Sequence, residues 1–151
     1  MKIIALRGKE NTGKTSSIKL FYKKLLKNEA KELLYVDEYD GVKYEDFYAI
    51  VSFKGKTIGI TSYGDNGNVL AEPFKEFYNH KCDIVVTACR VRETDKGSLK
   101  FIRTQNSEII YVEKIYIENA DELPDNDEFI EKINDRQADI LLNALEKTIN
   151  D

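Results

Sequence analysis

Cysteine, histidine and proline are all scarce in this 151-residue chain, with two cysteines, one histidine and two prolines. Two thiols and no export signal exclude a disulfide framework and point to reduced cysteines. Cys82 and Cys89 lie along one predicted strand with six residues between them, an awkward geometry for a bridge. With His80 they also lack the usual spacing of a zinc site. His80 ends a predicted helix beside Lys81 and reads as a C-terminal cap rather than a catalytic base. No apolar run approaches the roughly 18 residues of a membrane span. The N-terminal apolar stretch is too short for a signal peptide, so a cytoplasmic location is expected. Repeats and low-complexity linkers are also missing. Excess positive charge is absent too. The net charge is −4 and the pI near 5.2, which argues against a dedicated nucleic-acid binder.

What is present is the composition of one globular domain, with 42% hydrophobic and 33% charged residues and enough length for a real core. Apolar runs predict strands at Ile3–Leu6, Leu33–Val36, Phe47–Phe53, Thr57–Thr61, Asp83–Ala88 and Glu108–Ile117. Helical spacing predicts helices over 14–28, from 68 or 72 to 79, over 98–106 and over 127–150. The third is capped by Ser98, and the last is interrupted near Asn134. Pro73 favours the later start for the second helix, with Phe74, Phe77 and Tyr78 as its buried face. In the last helix Ile133, Ile140, Leu141, Ala144, Leu145 and Ile149 form the apolar stripe. Residues 118–127, with Pro124, read as an acidic loop. Lys19, Lys23, Lys24 and Lys27 form a solvated basic face on the first helix. Phe47–Phe53 and Thr57–Thr61, joined by Lys54-Gly55-Lys56, read as an antiparallel hairpin. The rest of the alternation predicts a mostly parallel sheet with helices on both faces.

The strongest local signal is Gly8-Lys9-Glu10-Asn11-Thr12-Gly13-Lys14-Thr15, set between the first strand and the first helix. Four fixed positions of this kind match by chance in roughly one chain of this length in a few hundred. Glycines allow the loop to wrap with its N–H groups inward, at a helix N-terminus that favours anions. Asn11, Thr12, Gly13 and Ser16 belong to that nest, Lys14 supplies a point charge to phosphates, and Thr15 a hydroxyl to magnesium. These residues resemble the Walker A loop of the P-loop NTPase superfamily. The resemblance implies a three-layer α/β P-loop fold, ATP and Mg2+ as ligands, and cleavage or transfer of nucleotide phosphate.

Ligands of such sheets sit beyond the carboxyl ends of the strands. That rule gathers the loops 8–15, 62–68 and 89–97. A P-loop enzyme also needs a carboxylate for magnesium. Asp65, after Thr61 and Gly64, leads, and Asp37 at the end of Leu33–Val36 competes. Ser62 could add a hydroxyl. Arg90 and Arg92 follow a buried strand in a loop that is loosely similar to the arginine-bearing lid of P-loop kinases, and arginine suits phosphate oxygens. No Asn-Lys-x-Asp tetrapeptide of the Ras type occurs, so ATP is favoured over GTP. The expectation is a kinase-like enzyme or ATPase acting on a small acceptor or water, with a nucleotide-binding switch for a protein partner as the alternative.

Overall fold

The computed structural model describes residues 1–118, 122 and 126–151. Of the acidic loop expected over 118–127, residues 119–121 and 123–125 lie outside the described residues. The chain forms an α/β fold around one six-stranded mixed sheet of order β2-β3-β4-β5-β1-β6. Its strands are β1 Lys2–Arg7, β2 Lys31–Tyr39, β3 Val42–Phe53, β4 Lys56–Thr61, β5 Ile84–Cys89 and β6 Glu108–Glu113. The described helices are α1 Lys14–Lys27, α2 Gly67–Asn79, α3 Ser98–Arg103 and α4 Asn126–Asn150. Strands β4, β5, β1 and β6 run parallel, and β2, β3 and β4 form an antiparallel segment.

Period-two alternation divides the parallel strands between two cores. Ile4, Leu6, Val86 and Ala88 face α1 and α4, with Ile18, Phe21, Leu141 and Leu145. Ile3, Ala5, Val85 and Cys89 face α2 and α3, with Leu70, Phe74, Phe77, Leu99 and Ile102. A strand apolar on both faces is what a sheet covered by helices on both sides requires.

The expected hairpin is present and its register follows from its turn. Lys54 and Gly55, with φ of 48° and 78°, make a two-residue turn with both central residues left-handed. It pairs Phe53 with Lys56 and, further along, Tyr48 with Thr61. A second such turn, Asp40-Gly41 with φ of 51° and 78°, joins β2 to β3. Between these turns the β2–β3 ladder is irregular. Val36 faces Tyr48 but Glu38 faces Lys43, so Tyr44 to Phe47 all stand opposite Asp37 alone. An excursion of this kind bends the strand and re-aims its side chains.

Several local expectations change. α2 starts at Gly67, because the Asn66 side chain caps it by accepting from the Val69 N–H at 3.1 Å, and Pro73 sits inside the helix. Tyr78 is exposed and donates to Gln105 Oε1 at 2.8 Å. α3 ends at Arg103, and Ser98 is its first residue rather than its cap, since its hydroxyl accepts the Arg90 N–H at 3.0 Å. β6 stops at Glu113. α4 runs unbroken through Asn134, which is buried, whereas Ile140 is exposed. On α1, Lys24 reaches Asp135 and Asp139 of α4 at 3.0 and 2.8 Å, so part of the basic face is an inter-helix contact.

Candidate functional site

The loop between β1 and α1 lies at the carboxyl end of an interior strand, because β1 is flanked by β5 and β6 in parallel register. Asn11 and Gly13 take left-handed angles, φ 58° and 91°. Gly13 is doubly constrained, since a Cβ there would stand 2.7 Å from Asn134 Oδ1. The Thr12 hydroxyl donates to the Lys9 carbonyl at 2.7 Å. Lys14 is 7% exposed, and its ammonium donates to the Gly8 and Lys9 carbonyls at 2.7 and 2.6 Å. Burial first, and then the Arg90 charge, lowers its pKa, a penalty that an anion in the loop would relieve.

A cavity of about 420 Å³ opens on this loop, lined by Glu10 to Ser16 together with Glu45, Asp46, Ser62, Gly64 and Asp65. Asp46 is a candidate site residue that sequence reasoning missed. Its Oδ1 accepts from Thr15 Oγ1 at 2.9 Å and from Ser62 Oγ at 2.9 Å. The four-residue excursion of β3 delivers it, and Ser62 fixes the approach, since its N–H donates to the Phe47 carbonyl and its oxygen accepts the Phe47 N–H. The hairpin register was the available signal. Extending the Tyr48–Thr61 pairing by two positions carries Asp46 to Tyr63, at the ligand end of the sheet.

The two acids expected from the sequence make other contacts. Asp65 lines the cavity but points its Oδ1 at Arg90 Nη2, 3.2 Å away. Arg90 Nη1 meets Glu10 Oε2 at 3.2 Å, so one guanidinium ties the glycine loop to the β4–α2 loop. Its Nε is buried with no partner among the described residues. Asp37 pairs with Lys43 at 3.8 Å on the β2–β3 ribbon. Arg92 lines a neighbouring cavity with Lys9, Arg90, Val91, Thr94 and Gly97. The three loops expected to form the site therefore meet, with Arg90 at their junction.

Two supports come from the end of the chain. Asn134 of α4 is buried under the loop and accepts from Ser17 Oγ at 3.1 Å. Asn134→Ala should lower stability by roughly 1–2 kcal/mol, as a buried hydroxyl loses its acceptor, and denaturant melts would measure it. Lys114, just after β6, lies over Gly8 and donates to the Ile115 carbonyl at 2.6 Å. Burial, followed by the Lys14 charge, pushes its pKa down to about 8.

Because that folded value lies below the unfolded one, the stability penalty is complete below about pH 8 and fades as pH rises through the folded value. Lys114→Met should therefore be the more stable protein at pH 7, by at most roughly 3 kcal/mol. The gap should narrow by pH 9.5. Paired melts at the two pH values would read it.

The two cysteines are free and buried, and burial holds the thiols up, at about 12 for Cys82 and about 11 for Cys89. Among the described residues no group of His, Cys, Asp and Glu has the arrangement of a metal centre made by side chains of those types alone. Among them, too, no helix is long and apolar enough to cross a membrane.

Comparisons with protein-family models, with curated proteins and with solved structures give no match. The functional reading therefore stands on the site itself.

Proposed function

We propose that the chain is a P-loop nucleotide-binding protein that takes ATP with magnesium and transfers the γ-phosphoryl group to a small acceptor or to water. The observation that carries this is the Thr15–Asp46–Ser62 cluster beside a buried lysine on a glycine loop. A strand, a loop with left-handed residues, and a helix beginning at Lys14 suit an anion held by backbone N–H groups. The two-faced α/β sheet supports the finer reading of a three-layer P-loop NTPase-like fold.

Thr15, Asp46 and Ser62 offer hard oxygen donors of the kind Mg2+ favours, and these residues would hold it. When bound, the ion would neutralise charge on the β- and γ-phosphates. Lys14 would leave the Gly8 and Lys9 carbonyls for phosphate oxygens, keeping its buried charge paired. Arg90 would leave Glu10 and Asp65 for the transferring group, whose planar oxygens match its fork. Cleavage then consists mainly of positioning and charge stabilisation.

A second reading, a nucleotide-responsive subunit with little turnover, is favoured by the Arg90 bridge. Phosphate that draws Arg90 away would release the β4–α2 loop from the glycine loop, a change that a protein partner could sense. Titration of MgATP and MgGTP with a parallel ADP-release assay decides between them. Turnover selects the enzyme, binding without turnover selects the switch, and no binding of either nucleotide refutes both.

A further inference from the structure

We infer that the hollow between the β2–β3 ribbon and the start of α2 binds a small organic cation carrying an ammonium or alkylammonium group. The hollow has a volume of about 270 Å³ and is walled by Tyr39, Tyr44, Tyr48 and Tyr63, with Glu38 and Glu72 among its lining residues. No lysine or arginine lines it, although the chain has 23 of them. This site is separate from the glycine loop and does not rest on the phosphotransfer reading.

Two observations converge on a cation. First, three of the four rings are unstacked. Tyr39 and Tyr44 are exposed and Tyr63 is half-buried, and none of the three stacks on another ring among the described residues, whereas Tyr48 is buried and meets Phe77 edge-on at 6.5 Å. Elsewhere on the same ribbon, Tyr35 stacks on Phe47 at 5.5 Å, so open rings are a local feature rather than a habit of the ribbon. Second, Glu38 and Glu72 have no ion-pair partner among the described residues, while Glu76, one turn along α2 from Glu72, has His80.

Ring faces carry negative potential, so tyrosines and unpaired carboxylates around one hollow attract the same species. A nucleotide or another anion would bring its charge against Glu38 and Glu72. A neutral apolar ligand would leave the carboxylates unused.

The backbone explains why the hollow exists. The excursion at 44–47 that carries Asp46 to Thr15 also separates Tyr44 from the regular ladder, and the Asp40-Gly41 turn closes the ribbon beside it. Tyr63 follows Ser62 directly, so the hollow adjoins the Asp46 cluster.

The test uses the whole chain without nucleotide, at constant ionic strength. Choline is titrated by calorimetry and by tyrosine-ring NMR, with 3,3-dimethylbutan-1-ol as the uncharged isostere. Choline should shift the ring resonances of the hollow and bind about tenfold more tightly than the isostere, since the difference is the cation–π and carboxylate attraction. Tyr63→Leu should weaken choline about tenfold and Glu72→Gln about fivefold, with unchanged circular dichroism. Tyr39→Leu, at the exposed rim, replaces Tyr63→Leu if that variant loses its fold. Equal affinity for both probes, choline binding indifferent to the substitutions, or no ring shifts at tens of millimolar choline would each overturn the proposal.

Discussion

Lys14→Met should lower the affinity for MgATP about 100-fold while leaving the fold intact, equivalent to ~3 kcal/mol for lost charge-assisted contacts to phosphate. The two halves of that expectation have separate physical grounds. The ammonium is buried against two backbone carbonyls with no carboxylate in contact among the described residues, and burial lowers its pKa. A charge held at such a disadvantage does little for the free protein, and methionine fills the same space with an unbranched chain. The Lys9 carbonyl belongs to an exposed residue, where water can replace the donor, and the buried Gly8 carbonyl loses one hydrogen bond, worth about 1 kcal/mol. The melting temperature should therefore shift by only a few degrees. Calorimetric titration of both proteins measures the loss. Equal affinity would remove the glycine loop from the phosphate reading, whatever else the cavity binds.

How much of this was legible in the sequence differs from element to element. The parallel strands announced themselves because apolar residues on both faces have no other use in a chain with no membrane-length run. The glycine loop announced itself by spacing, and the meeting of the loops at 8–15, 62–68 and 89–97 followed from strand direction alone. Asp46 did not, because hydropathy starts the strand at its first apolar residue, Phe47. Strand boundaries drawn by hydropathy stop where the side chains turn polar, which is also where ligand chemistry begins. The hairpin turn at Lys54-Gly55 corrects this, since a two-residue turn fixes every pairing back to Tyr48, two residues from Asp46.

Asn134 and Lys114 were illegible for another reason. Nothing local distinguishes a polar residue that will lie beneath a loop more than a hundred positions away from one that faces solvent. Ile140 and Tyr78 fail in the opposite direction. Each belongs to an apolar periodicity wider than the face its helix buries, and α4 turns Asn134 and Gln137 inward beside Ala138 and Leu141.

Asp46→Asn should reduce Mg2+-dependent turnover by about 100-fold or more, whereas Asp65→Asn should leave the Mg2+ dependence in place. The reasoning rests on which acid touches the loop. The amide that replaces the Asp46 carboxylate would keep an oxygen able to accept from Thr15 or Ser62, so the local hydrogen bonds and the melting temperature survive while the charge is lost. With a negative group removed from the cavity, ATP without Mg2+ should bind as well as before or better. Asp65 has the opposite task in the free protein. It is one of two carboxylates holding Arg90, and its neutral amide would hold that guanidinium less firmly. Asp65→Asn should then bind ATP slightly more tightly, by a few-fold, because part of the competition for Arg90 is gone. Initial rates against free Mg2+ for the three proteins separate these effects. A lost Mg2+ response in Asp65→Asn with a normal one in Asp46→Asn would return the metal to Asp65. The Thr15–Asp46 hydrogen bond would then be a purely structural contact that orients the first turn of α1.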